Sequence, residues 1–295
     1  MSRKIRYFLS AALVAVFVLS TALLGRYLYH RHQNRQARDL ALEIAGGVTV
    51  PPSPEATLPA EPPSLPQSAE ISVQPTEPAW IPAPFRGDPS HMAVLENIDL
   101  DALRQVNPQV IGWIYIPDTG IHFPLLQGTD NTFYLDHSWD LRSNVLGSIF
   151  LETRNSPDLS DFNTILYGHN IAGGEMFAPL HNYSSETYRR SHPYIYILTD
   201  SGIFHYEIFA SFFADTDSPT YGLSFHQTAT RENFLAFALE NSQISTGITP
   251  NLTDRFLTLS TCTGRGHDQR RVVIARMEMI PENKKTTAET SAVAE

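Results

Sequence analysis

One cysteine, a histidine at a strand end and a pair of arginines are the side chains of this chain best suited to nucleophilic chemistry. Cys262 is the only thiol in 295 residues. It closes the run Phe256-Leu-Thr-Leu-Ser-Thr-Cys262, which is rich in β-branched and aromatic residues, holds no Gly or Pro, and so predicts a β-strand. Gly264, Gly266 and Asp268 predict a loop, and Arg270–Met277 predicts the next strand. A cation beside a thiol favours the thiolate, which is the nucleophilic form. Arg270 and Arg271 are both placed for that role, and because neighbouring strand residues point to opposite faces, only one of them can face Cys262. Periodicity does not choose between them. The competing reading makes Cys262 a buried structural residue, as free cysteines often are.

A cysteine nucleophile needs a partner to move protons. Eleven histidines are available, and His169 stands apart by context. It ends the apolar run Thr164-Ile-Leu-Tyr-Gly-His169, just before Gly173-Gly174. A strand end beside a glycine-rich loop is a rigid support for an exposed side chain, and imidazole is suited to acid–base work near neutral pH. A fixed arginine would stabilise a developing oxyanion.

Elements that could hold such residues follow from periodicity and breakers. Short strands are predicted at 112–116, 121–125, 147–151, 164–167, 194–198, 203–213, 256–260 and 272–277. About eight short strands with breaker-rich connections imply a closed barrel or a sandwich, a mainly β fold. Met92–Val106 reads as one helix ended by Pro108. Further helices are expected at Ser184–Ser191 and Arg231–Asn241, the latter with Thr230 as N-cap.

At the N-terminus, Tyr7–Gly25 is a run of 19 residues without a charge, flanked by aromatic and basic residues, and long enough to cross a bilayer as a helix. The alternative is a cleaved signal peptide, but Thr21-Ala-Leu-Leu-Gly25 is a poor cleavage site. Basic residues on both sides of the run leave the positive-inside rule undecided. The expected organisation is a cytoplasmic N-terminus and transmembrane anchor over 1–30, a juxtamembrane segment and Pro-rich linker over 31–89, a catalytic β-barrel over 90–280, and a tail over 281–295. The proline-rich part, an extended spacer on this reading, could reach on the order of 100 Å. Residues 91–295 carry 13 basic and 24 acidic side chains, a balance that repels phosphate and argues against nucleic acid as a partner. One cysteine excludes an intrachain disulfide and a cysteine-rich metal site.

Thr258-Leu-Ser-Thr-Cys262 followed by Arg270-Arg-Val-Val resembles the sortase signature, and Tyr167-Gly-His169-Asn170 resembles the sortase histidine motif. Val110–Pro117, Asn131-Thr-Phe-Tyr-Leu135, Gly147-Ser-Ile-Phe150 and Met176-Phe177 are similar to class B sortases in particular, as is the long insert 214–254. The resemblance spans about residues 92–278. It implies an eight-stranded sortase-type β-barrel with helical decorations, and a membrane-anchored cysteine transpeptidase, single-pass, with its catalytic domain outside a Gram-positive cell. It implies Cys262 as nucleophile, His169 as general acid/base and Arg270 as the oxyanion and substrate-positioning residue, with Asn131, Leu135 and Ser260 lining a peptide groove. No metal and no cofactor are implied. The implied partners are surface proteins carrying a C-terminal sorting motif, cleaved after Thr, and a peptidoglycan precursor or other amine acceptor. A pilin polymerase using a lysine acceptor and a non-catalytic surface barrel are the alternatives. A papain-like protease is disfavoured by residue order and an L,D-transpeptidase by its missing Ser-His-Gly-Cys element.

Overall fold

A computed structural model describes residues 3–46, 88–171, 173–262 and 269–278, with backbone alone described for 3–11 and for Cys262. The expected loop at 263–268, the proline-rich stretch up to Gly87 and the tail from 281 onward lie outside the described residues.

The strands follow the apolar segments closely. They are β1 (Val110–Ile116), β2 (Ile121–Leu126), β3 (Ile149–Leu151), β4 (Asn163–Tyr167), β5 (Asn170–Ile171), β6 (Glu175–Met176), β7 (Tyr194–Thr199), β8 (Gly202–Asp215), β9 (Phe256–Cys262) and β10 (Gln269–Met277). Eight of them close a barrel in the order β1-β2-β3-β4-β9-β10-β8-β7, with β7 pairing back to β1. Closure leaves no open edge in this sheet. Most pairings are antiparallel; β2–β3 and β4–β9 are parallel. The short β5–β6 hairpin stands outside the barrel.

Alternation divides the strand residues between two apolar layers. Inward positions such as Ile114, Phe123, Leu166, Leu257, Leu259 and Val273 fill the barrel. Outward positions Phe212, Phe256, Val272 and Ile274 are covered by helix α5 (Thr228–Asn241) through Phe234, Leu235 and Ala238. A third layer, around Trp113, Tyr134, Trp139 and Tyr196, is covered by three N-terminal helices. These are α1 (Arg3–Ile44), α2 (Pro89–Glu96) and α3 (Leu100–Val106). A short helix α4 (Glu186–Ser191) precedes β7.

Two helix expectations change. The single helix over 92–106 is two helices. Asn97 ends the first, and Asp99 starts the second by accepting a hydrogen bond from the Ala102 amide at 2.9 Å. A short acceptor side chain at that position offers the backbone an N-cap in place of a continuing turn. Helix α5 begins at Thr228 with Gln227 in the cap position, so Thr230 is not the N-cap. Its hydroxyl instead donates to the Gln227 carbonyl at 2.7 Å, as Thr does inside a helix.

Helix α1 is long and apolar enough to cross a membrane, with a mean hydropathy of 1.7 in its best window. It does not end where the apolar run ends. It continues to Ile44, and its second half lies on the barrel.

Candidate active site

Parallel pairing of β4 with β9 sets the site. Tyr167 is level with Ser260, and the Gly168 amide donates to the Ser260 carbonyl at 3.2 Å. Two residues beyond this pair, His169 lies just past the end of β4 and Cys262 closes β9. Both follow the last paired residues at the same end of two adjacent strands, which run about 4.8 Å apart.

On the other side of β9 the pairing is antiparallel, and Arg270 stands directly opposite Cys262. Directly opposed residues share a face of the sheet, which separates the two arginines. Arg270 shares the outer face with Ser260 and Cys262. Arg271 stands opposite Thr261 and shares the face of Leu259 and Val273, which fill the barrel. The residue is 1% exposed. Nη1 donates to Gln243 Oε1 at 2.7 Å, Nη2 donates to the His181 carbonyl at 3.4 Å, and the group lies 4.2 Å over the Phe213 ring. Burial pulls its pKa down to about 10, so it stays charged near neutral pH.

His169 is partly exposed, and its Nε2 lies 2.7 Å from the Leu135 carbonyl oxygen. A carbonyl only accepts, so Nε2 carries the hydrogen in this contact and Nδ1 is left as the acceptor nitrogen. The Leu135 carbonyl is presented by a 3₁₀ turn over Phe133–Leu135. Close packing against Gly147 fixes this arrangement. Gly147 has φ +59, and an added Cβ would meet the Tyr134 and Leu135 carbonyls and the His169 ring at 2.5–2.9 Å. Gly147→Ala should therefore displace His169 and lower turnover at least about tenfold while the barrel remains folded, because misplacing a reacting group by about 1 Å can cost far more than stability. Peptide turnover beside a circular dichroism melt would check this; unchanged turnover would show that His169 keeps its place.

The groove that opens at these residues has a volume of about 430 Å³, within the usual range for a ligand site. His169, Arg270, Asn131, Leu135 and Ser260 all line it. Leu135 offers an apolar side chain that is 41% exposed. The Ser260 hydroxyl and the Tyr221 hydroxyl lie 2.8 Å apart. Asn131 is fixed at both ends of its amide, with Nδ2 donating to Glu152 Oε2 at 2.8 Å and Oδ1 accepting from the Thr153 amide at 3.0 Å.

Glu152, Arg154, Tyr167, Thr216 and Tyr221 also line the groove and were not singled out as site residues from the sequence. Glu152 organises several of them. It is 1% exposed and accepts from Asn131, from the Tyr167 hydroxyl at 3.0 Å, and from Arg154 Nε at 2.8 Å. Burial alone would raise its pKa, but the hydrogen bonds from Arg154, Asn131 and Tyr167 bring it below the ordinary value. The signal available in sequence was a carboxylate directly after the buried strand Gly147–Leu151, where an unpaired charge would be costly. A depressed carboxylate pKa gives stability that is complete above the ordinary value of 4.5 and is lost as pH falls below it. Glu152→Gln should accordingly melt lower at neutral pH and show a flatter decline in Tm on acidification than the parent. Parallel slopes for the two proteins would remove Glu152 from the acid response.

Comparison with known proteins places this geometry. The sortase domain, as a family, matches residues 114–278. Sortase B of Listeria monocytogenes is 36% identical over 179 residues, covering 60% of this chain and 72% of that protein. Sortase B of Staphylococcus aureus is 28% identical over 179 residues, covering 60% and 73% respectively. The solved S. aureus sortase B–substrate complex superposes with a TM-score of 0.59 at 28% identity, over 62% of this chain and 85% of that one. A closed eight-stranded barrel, a family match over more than half the chain, and class B enzymes among its relatives in both sequence and structure together show that this protein belongs to the sortase family of transpeptidases.

Proposed function

We propose that the chain is a membrane-anchored cysteine transpeptidase in which Cys262 is the nucleophile, His169 the general acid/base and Arg270 the oxyanion-stabilising residue. The observation that supports this reading is the pairing of β9, whose last residue, Cys262, stands opposite Arg270 of β10, and whose other neighbour, β4, ends two residues before His169; His169 and Arg270 line one groove. Arg270 favours the thiolate by its charge. The thiolate adds to the carbonyl of a Thr in a sorting motif near the substrate's C-terminus, and Arg270 faces the oxyanion that develops. The C–N bond breaks as His169 gives its proton to the leaving amine, and a thioester remains on Cys262. An acceptor amine of the cell wall then attacks the thioester, His169 takes its proton, and a new amide bond releases the thiolate.

Asn131, Leu135 and Ser260 are the peptide-contacting positions in this reading, with Glu152 holding Asn131 in place. The relative from S. aureus is known in complex with a substrate, which supports an extended peptide in the corresponding groove. Helix α1 serves as the single-pass anchor, with the barrel of 90–280 outside the cell. The proposal is tested with the full chain in detergent and quenched fluorescent peptides bearing Asn-Pro-x-Thr-Asn, Leu-Pro-x-Thr-Gly or Ser-Pro-x-Thr-Gly. Cleavage after Thr, with amide product by mass spectrometry when an amine is added, is the expected result. Cleavage at another bond, or product formation that ignores the added amine, would overturn it.

A further inference from the structure

The proline-rich stretch looks like the connection between bilayer and barrel, yet the chain is already on the barrel before that stretch begins. Along α1, most of the apolar side chains from Leu13 to Tyr29 are exposed: Leu13 is 73% exposed, Leu28 51% and Tyr29 60%. Cover begins within two residues. Arg31 Nε and Arg35 Nε donate to Glu175 Oε1 at 2.9 and 2.8 Å, and Asn34 Nδ2 donates to Glu175 Oε2 at 3.3 Å. Glu175 belongs to the β5–β6 hairpin, and its side chain is 9% exposed. One turn further, the Trp139 indole donates to the Ala37 carbonyl at 2.6 Å. Ala41 and Ala45 are fully buried against the layer that contains Leu95 and Leu103. The Ala45 carbonyl accepts from the Asp99 amide at 3.0 Å. The chain thus leaves the barrel at Gly46, next to Asn97, and returns at Asp88, one eight-residue helix away from Asn97.

We infer that the second half of α1 is a rigid stalk that holds the His169 end of the barrel at the lipid surface, so that the connection between bilayer and barrel is made upstream of residue 47. This rests on the proposed role of α1 as the membrane anchor. The reach follows from the contacts. Arg31 is two residues past the exposed apolar surface, a few Å along a helix. Glu175 pairs with Ile171, and Phe177 donates to the His169 carbonyl at 2.9 Å. Through the Arg31–Glu175 contact and these two strand steps, His169 stands on the order of 20 Å from the bilayer. A spacer of 47–87 would allow on the order of 100 Å. The stalk also fixes orientation. Arg104 of α3 is bonded to Asp200 at 2.9 Å, so the β7–β8 turn lies with the far end of α1, about 20 Å further along the helix axis.

The test is energy transfer in vesicles carrying a headgroup-labelled acceptor lipid, with the full chain labelled at one added cysteine in a Cys262→Ala background. Asn170→Cys places the donor beside His169, and Ser201→Cys places it on the β7–β8 turn; both positions are exposed. With a dye pair whose working range lies between the two distances, a stalk gives strong transfer from 170 and much weaker transfer from 201. Removing residues 51–84, which leaves seven residues to rejoin ends one short helix apart, should change neither value. Equal, weak transfer from both positions, or transfer that rises when 51–84 is removed, would overturn the inference. Transfer needs no catalysis, so a failed peptide assay does not bear on it. Protein that does not float with the vesicles would refute the anchor itself.

Discussion

Cys262→Ala should lower transpeptidation by roughly 10⁴- to 10⁶-fold, and His169→Ala should cost nearly as much. In the proposed scheme the two residues act as one unit, because a thiolate without a proton donor cannot expel the amine, and a donor without a nucleophile has nothing to resolve. The double variant should be no slower than the worse single. Both single variants should retain peptide binding, since the groove walls at Asn131, Leu135 and Ser260 are untouched. Initial rates with the quenched peptides and binding by fluorescence anisotropy would measure this. Losses that multiply in the double variant would mean that the two residues work in separate steps and that the scheme above is wrong.

Arg270 and Arg271 give the second large effect, because neighbours in sequence should fail in opposite ways. Arg270→Ala should lower kcat/KM by about 10²- to 10³-fold, the usual cost of losing an oxyanion partner, and leave Tm nearly unchanged. Arg271→Ala should destabilise the barrel by about 2–4 kcal/mol, through the cavity left where its buried side chain stood. For a domain of this size that is roughly 5–15 °C in Tm. At a temperature where the variant stays folded, its kcat/KM should be near the parent's. If Arg271→Ala loses activity without losing Tm, the assignment of faces is inverted.

That pair also marks the limit of what can be read from residues alone. Strand positions were legible because alternating apolar side chains have one periodicity, and 256–260 or 194–198 fits no other element. The face of Arg270 was not legible, because it depends on how β10 pairs with β9 and β8, and alternation along one strand does not give the register between strands. The helix break at Asn97–Asp99 had a local signal in two short polar side chains, overridden by the apolar spacing around it. Glu152 shows a different limit: a buried carboxylate is intelligible only once Asn131, Tyr167 and Arg154 are seen around it. The arginines after the apolar run left membrane orientation undecided when counted as charges. Two of them, Arg31 and Arg35, are engaged with Glu175, so their positions answer to the barrel as well as to the membrane.

The parallel seam between β4 and β9 also bears on how the enzyme comes into being. It joins Asn163 to Phe256, and until that join forms His169 and Cys262 belong to unrelated parts of the chain. Contacts so distant in sequence are among the slowest to form in folding, since the intervening loop must first be closed. The β9–β10 hairpin, with Cys262 opposite Arg270, is local and can form early. On the proposed roles, the thiol therefore acquires its cation before it acquires its proton donor. Recovery of turnover during refolding should accordingly lag the recovery of local β-structure.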